Sequence, residues 1–215
     1  MEPAAAVPTR PGPPAALRVV PPSDALDLAR AERAAAAFLD ALGVATDGDA
    51  TAATPRRMAH AYAELLTPRP FALTTFPNDE NYDELVLASG IAVQSVCEHH
   101  MLPFVGTAHV GYLPGQRILG LSKLARVVEL FARRPQVQER LTIQVADWLQ
   151  TQLAPRGVGV VIEAEHLCMT LRGVRSAGST TTTSTLRGAL REDARSRAEF
   201  LALTSSVPPA AARRR

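Results

Sequence analysis

The stretch from Glu84 to Leu113 reads ELVLASGIAVQSVCEHHMLPFVGTAHVGYL. Two runs rich in apolar and β-branched residues flank a polar cluster, Cys97-Glu98-His99-His100. Glu84 to Val96 alternates in part and is interrupted by Gly90, and Phe104 to Leu113 is a second strand candidate. Pro114-Gly115 marks the turn after it. Two strands are therefore expected here, with thiol and imidazole groups just past the end of the first.

On both flanks the apolar period changes from two to about 3.6. Leu124, Val127, Val128 and Phe131 share one face over about Ser122 to Arg134, and Pro135 then breaks the chain. Leu141, Val145, Trp148, Leu149 and Leu153 form the inward stripe of a helix over about Val137 to Leu153. Gly157 to Glu165 is again an apolar, β-branched strand. Cys168 to Arg175 reads as another, and Thr180 to Leu186 extends it or pairs beside it. Upstream, Leu26, Ala29, Arg33 and the run to Leu42 describe an amphipathic helix with Ser23-Asp24 as its N-cap and Gly43 as its stop. Thr54-Pro55 starts a second helix with Met58, Tyr62, Leu65 and Leu66 on its buried stripe. A last helix covers about Asp193 to Leu203. The central order is strand, strand, helix, helix, strand, strand. This is an α+β arrangement: a four-stranded antiparallel sheet backed by two helices, with N-terminal helices and a C-terminal helix added. Its open edges and one exposed face predict an oligomer that covers them.

The 215 residues suit one domain with extensions, and 47% of them are hydrophobic, enough for a core. A formal charge of +2 argues against bulk binding to nucleic acid or to an anionic membrane. No stretch approaches the roughly 20 apolar residues of a membrane helix, and Met1 to Asp24 lacks the apolar centre of a signal peptide. A cytoplasmic location is expected, and there a Cys97–Cys168 disulfide is disfavoured. Seven of the 17 prolines fall in the first 22 residues, which predicts a disordered arm; the arginine-ended segment from Val207 to Arg215 reads as a tail.

Cys97 and His100 have a common zinc-chelating spacing, although a half-buried Cys beside surface histidines would look the same. His166-Leu167-Cys168 weighs in favour of a metal, because alternation along a strand would put residues 166 and 168 on one face. Three ligands with a fourth position open to water mark a catalytic zinc, which lowers the pKa of bound water to around 7. A closed site of two Cys and two His remains possible. His99 and His166, left over, are candidates for proton transfer or for orienting the ligands.

Ser122-Lys123-Leu124-Ala125-Arg126 opens a helix, with Ser122 as the expected N-cap. Lys123 and Arg126 project from one face, and together these groups describe a phosphate cradle. Many exposed helix starts look alike, so the pattern is weak by itself. Arg57, and Arg172 on the strand face of Cys168, are further candidate phosphate partners. Glu139, in a first helical turn, is either a dipole-favoured surface residue or a carboxylate accepting two N–H bonds from a flat heterocycle such as guanine.

Taken in order, Thr54-Pro55-Arg56-Arg57, Cys97-Glu98-His99-His100, Gly120-Leu121-Ser122-Lys123-Leu124, Arg134 to Leu141, His166-Leu167-Cys168-Met169, Arg172-Gly173-Val174 and Thr180 to Thr185 resemble the GTP cyclohydrolase I family from about Asp24 to Leu203. The resemblance implies the tunnelling fold, with ββααββ order and sheets closed into a barrel by oligomerisation, in a homodecamer of two stacked pentamers with active sites shared between subunits. It implies an N-terminal helical region over 23–83 and a catalytic domain over 84–206, between the arm at 1–22 and the tail at 207–215. It implies hydrolysis at guanine C8, converting GTP and water to 7,8-dihydroneopterin triphosphate and formate, the first step towards folate-type pterins. The family's ligands for one Zn2+ per subunit fall on Cys97, His100 and Cys168, and its proton-transfer histidines on His99 and His166. Its guanine anchor falls on Glu139 with Gln138 beside it, and its triphosphate contacts on Ser122, Lys123, Arg126, Arg172 and Arg57. Another enzyme of the same fold, or a zinc-stabilised binding protein without catalysis, are the competing readings.

Overall fold

A computed structural model describes residues 17–19 and 26–205. The rest of the proline-rich arm, the Ser23-Asp24 pair and the tail expected at 207–215 lie outside the described residues. The elements run in the order β1 (Leu17–Val19), α1 (Leu28–Ala41), α2 (Thr54–Leu66), β2 (Phe71–Leu73), β3 (Thr75–Pro77), β4 (Val86–Cys97), β5 (Pro103–Leu113), β6 (Arg117–Leu119), α3 (Leu121–Ala132), β7 (Pro135–Gln136), α4 (Gln138–Leu153), β8 (Gly157–His166), α5 (Leu167–Thr170), β9 (Thr181–Gly188), α6 (Ala189–Glu192) and α7 (Ala194–Ser205). No helix of the described residues is long and apolar enough to cross a membrane.

The main sheet has the order β7-β4-β5-β8-β9, and its four long strands are antiparallel neighbours. One face carries Val93, Phe104, Val110, Tyr112, Val158, Val160 and Ile162, all buried against Leu124, Val127 and Val128 of α3 and Leu141, Val145 and Leu149 of α4. Burying such side chains contributes about 1.5–3 kcal/mol each, which makes this sheet–helix layer the main stabilising core. The opposite face is covered at one end only. There α7 lays Phe200 over the paired glycines Gly111 and Gly159, where an added Cβ at Gly159 would sit 2.7 Å from the ring. Elsewhere on that face Val105 stays 41% exposed.

Gly90 takes φ +70° where the β4–β5 register shifts between Ala88 and Ile91, so the interruption seen in the sequence is a bulge rather than the end of a strand. Helix α1 starts one turn later than Ser23-Asp24 suggests. Asp27 caps it by accepting from the Arg30 N–H at 2.8 Å.

Three expectations need correction. The run from Cys168 to Arg175 is not a strand. Leu167–Thr170 forms a single helical turn, with the Leu171 N–H donating to the Leu167 carbonyl at 3.1 Å, and Gly173 and Arg175 follow in left-handed conformation. Only Thr170 and Val174 in that run are β-branched, whereas the threonine-rich segment forms the fourth long strand as β9. Ser122 is not the cap of α3. Gly120 occupies that position, and its carbonyl accepts from the Lys123 N–H at 2.8 Å. Finally, within the arm expected to lack structure, Leu17–Val19 pairs antiparallel with Phe71–Leu73.

Candidate metal centre

Cys97 is the last residue of β4. Its N–H donates to the Leu102 carbonyl at 2.9 Å, and the Met101 N–H donates back to the Cys97 carbonyl at 2.8 Å. The chain therefore reverses tightly over Glu98–Met101, with Met101 at φ +53°. The Tyr62 hydroxyl braces the turn from α2 by donating to the Met101 carbonyl at 2.9 Å. On the other flank β7 runs parallel to the end of β4, with Cys97 opposite Gln136, and the Glu98 N–H donates to the Gln136 carbonyl at 3.0 Å. The Glu98 carboxylate is paired with Arg140, which holds it below the usual carboxylate range. The buried Gln136 side chain completes this support. Its carbonyl accepts from Arg140 Nε at 2.9 Å and its amide donates to Gln144 at 2.8 Å.

Cys168 reaches the same place from the far side of β5. The register sets Val96 opposite Pro103 and Phe104 opposite His166, so the ends of β4 and β8 flank the start of β5. One residue beyond His166 the chain turns into α5, and that turn brings in Cys168. The ligand atoms of Cys97, His100 and Cys168 lie within 4.8 Å of one another, with Cys97 Sγ 3.9 Å from His100 Nδ1. A tetrahedral zinc with bonds of about 2.0–2.3 Å has ligand–ligand edges of roughly 3.5–3.8 Å, so the cluster is close to that geometry. Both thiols are buried and free. Burial, then the neighbouring Cys97, pushes the Cys168 thiol up, while the Arg172 charge pulls it slightly down. Two buried thiolates side by side need a cation, and a Cys–His–Cys set suits a soft divalent one.

The remaining expected residues fall into two groups. His99 is exposed on the turn, its Nδ1 3.9 Å from Cys97 Sγ. His166 stacks on Phe104 with centroids 4.5 Å apart and planes at 11°. Burial lowers its pKa, partly opposed by the Glu139 charge, which places Glu139 near it at the exposed start of α4. Arg172 lies exposed in the loop after α5. This group therefore surrounds the cysteines.

In the second group, Ser122 and Lys123 stand well away from the cysteines within one chain. Ser95 Oγ donates to the Ala132 carbonyl at 2.7 Å, so the C-terminal end of α3 lies beside the end of β4. Ser122 is ten residues earlier, which is on the order of 15 Å along the axis. Ser122 and Lys123 thus sit at the far end of α3. Arg126 is already engaged, donating to Glu129 at 3.1 Å, and Glu129 is held bidentately by Arg69. Arg57 is exposed on α2, 3.5 Å from the Ala50 carbonyl.

Sequence reading missed the supports: Tyr62, Phe104, Gln136 and the Glu98–Arg140 pair. Glu98 and Arg140 both lie inside conspicuous motifs, yet only the parallel β4–β7 pairing shows that they meet.

A sequence profile described as GTP cyclohydrolase I matches residues 31–205. The chain is 54% identical over 190 residues to GTP cyclohydrolase 1 of Mycobacteroides abscessus, covering 85% of this chain and 92% of that protein. It is 53% identical over 183 residues to GTP cyclohydrolase 1 of Thermobifida fusca, covering 83% and 88%. Against GTP cyclohydrolase 1 of Mycobacterium tuberculosis the identity is 54% over 182 residues, covering 82% and 90%.

Proposed function

This chain belongs to the GTP cyclohydrolase I family, and from that footing we propose that one Zn2+ per subunit is held by Cys97, His100 and Cys168. Its activity is that of GTP cyclohydrolase I: GTP and water give 7,8-dihydroneopterin triphosphate and formate. The cluster of Cys97, His100 and Cys168, with donor atoms within 4.8 Å, is the observation that carries the site assignment.

When bound, zinc supplies Lewis acidity and makes water a better nucleophile at neutral pH. The chain's own residues do the rest. Glu139 accepts two N–H bonds from the guanine edge and so sets the imidazole ring over the metal centre. His166 and His99 move protons as the ring opens and C8 leaves as formate. Lys123, Arg126, Arg172 and Arg57, with Ser122, hold the triphosphate, which is not cleaved. Its binding orients the reacting end of the substrate.

The active form is a homo-oligomer with the tunnelling fold, in which sheets join into a barrel, as a decamer of two stacked pentamers. The separation of the Ser122–Arg126 segment from the cysteines supports this reading. A neighbouring subunit must bring its own α3 start to the metal, and the outer edge of β9 is available for sheet continuation. The enzyme works in the cytoplasm, where reduced thiols are the default.

The test is direct. Purified protein incubated with GTP should release formate and a fluorescent pterin, and a chelator should stop both. Turnover that persists in chelated, metal-free protein would refute the metal assignment.

A further inference from the structure

Gln138 lies in the first turn of α4 and is almost wholly buried, with 1% of its surface exposed. Its Nε2 donates to the Ile162 carbonyl at 3.0 Å and to the Thr181 carbonyl at 2.8 Å, with Thr183 Oγ1 at 3.2 Å. Backbone carbonyls can only accept, so these partners on β8 and β9 orient the amide: NH2 towards the two strands, Oε1 away from them. That oxygen lies 2.8 Å from His166 Nε2. An amide oxygen has no proton to give, so the hydrogen in this bond belongs to the imidazole. Neutral His166 therefore carries its proton on Nε2 and presents a lone pair at Nδ1. Phe104, stacked on the ring, restricts its rotation.

We propose that Gln138 is a positioning residue that locks His166 in the Nε2–H form, leaving Nδ1 as the nitrogen that takes up and returns a proton, and that Gln138 does not contact the guanine. The inference rests on the reading of His166 as a proton-transfer group. It replaces the expectation that Gln138 shares the guanine edge with Glu139. Consecutive helical residues do not face the same way. Here Glu139 is exposed, while both N–H groups of Gln138 are committed inside the fold.

Two measurements test this. The first is nitrogen NMR of the wild-type zinc-loaded oligomer labelled at histidine nitrogens, with the His166 signals identified by their loss in His166→Ala. A protonated Nε2 and an unprotonated Nδ1 are expected, and a protonated Nδ1 in the neutral ring overturns the proposal. The second is steady-state kinetics of Gln138→Leu, alone and in the His166→Ala background, with zinc content and thermal unfolding followed. The single variant should lose about 10- to 100-fold in kcat with KM for GTP little changed, the scale typical of removing a group that orients a site histidine. In the His166→Ala background the same change should have no further effect. A raised KM at unchanged kcat, or full additivity of the two changes, overturns it. If Gln138→Leu does not fold, the NMR result decides alone. Failure of the underlying reading looks different: His166→Ala would then keep wild-type kcat whatever the tautomer.

Discussion

The end of β4 and the start of α3 both carry residues expected to touch the substrate, and they differ in how complete they are. At the end of β4, one chain brings together Cys97, His100 and Cys168, stacks His166 on Phe104 and braces the turn through Tyr62 and the Glu98–Arg140 pair. At the start of α3, Ser122 and Lys123 are on the surface with no part of the metal centre near them, and Arg126 is turned to Glu129. The lesson is physical. A metal centre needs donor atoms placed within a few tenths of an ångström, which a sheet register supplies. A polyphosphate can be met by long cationic side chains, which tolerate looser placement.

The sharpest break of this contrast is Cys168→Ser. It should abolish zinc binding and reduce turnover by well over the ~100-fold that losing a group behind a ligand can cost; metal analysis and formate release check it. Next comes mixing. Chains carrying Cys168→Ser co-assembled with chains carrying Lys123→Ala should regain roughly a quarter of wild-type activity at low GTP, as random pairing across a shared interface requires. No recovery would mean that each site is built from a single chain. Lys123→Ala alone should raise KM for GTP about 10- to 100-fold, the loss of one charge-assisted contact, with zinc content unchanged. Arg126→Ala should do less, about two- to fivefold in KM, because Glu129 already offsets part of its charge. An Arg126 effect as large as that of Lys123 would show that assembly frees Arg126 from Glu129.

Much of this was readable from residue order. The strand and helix periods of Glu84–Leu113 and Leu124–Leu153 match the elements formed there, because those faces are buried and burial selects apolar residues at the pleat or helix period. The gathering of Cys97, His100 and Cys168 was legible too, but for an incorrect reason at Cys168. Strand alternation was expected to align residues 166 and 168, whereas the helical turn of Leu167–Thr170 places the thiol. Ser122 looked like a cap because Ser is a favoured capping residue, yet the backbone begins the helix at Gly120. Gln138 was expected beside the guanine anchor Glu139, and its burial against β8 and β9 was not legible, since a buried amide and a substrate-binding amide read alike.

The sequence by itself determined the α+β class, the family and the identity of the chemical groups: thiols, imidazoles, one carboxylate and a set of cations. These depend on residue type and short spacings, which the chain order carries directly. Only the tertiary structure decided which groups share a site. The register of β4, β5 and β8 brings Cys97, His100 and Cys168 together, the β7 pairing joins Glu98 to Arg140, and the carbonyls of Ile162 and Thr181 orient Gln138 against His166. The hydrogen-bonded partners among them are up to 43 residues apart in the chain, and hydrogen-bond geometry between such residues exists only once the strands have paired.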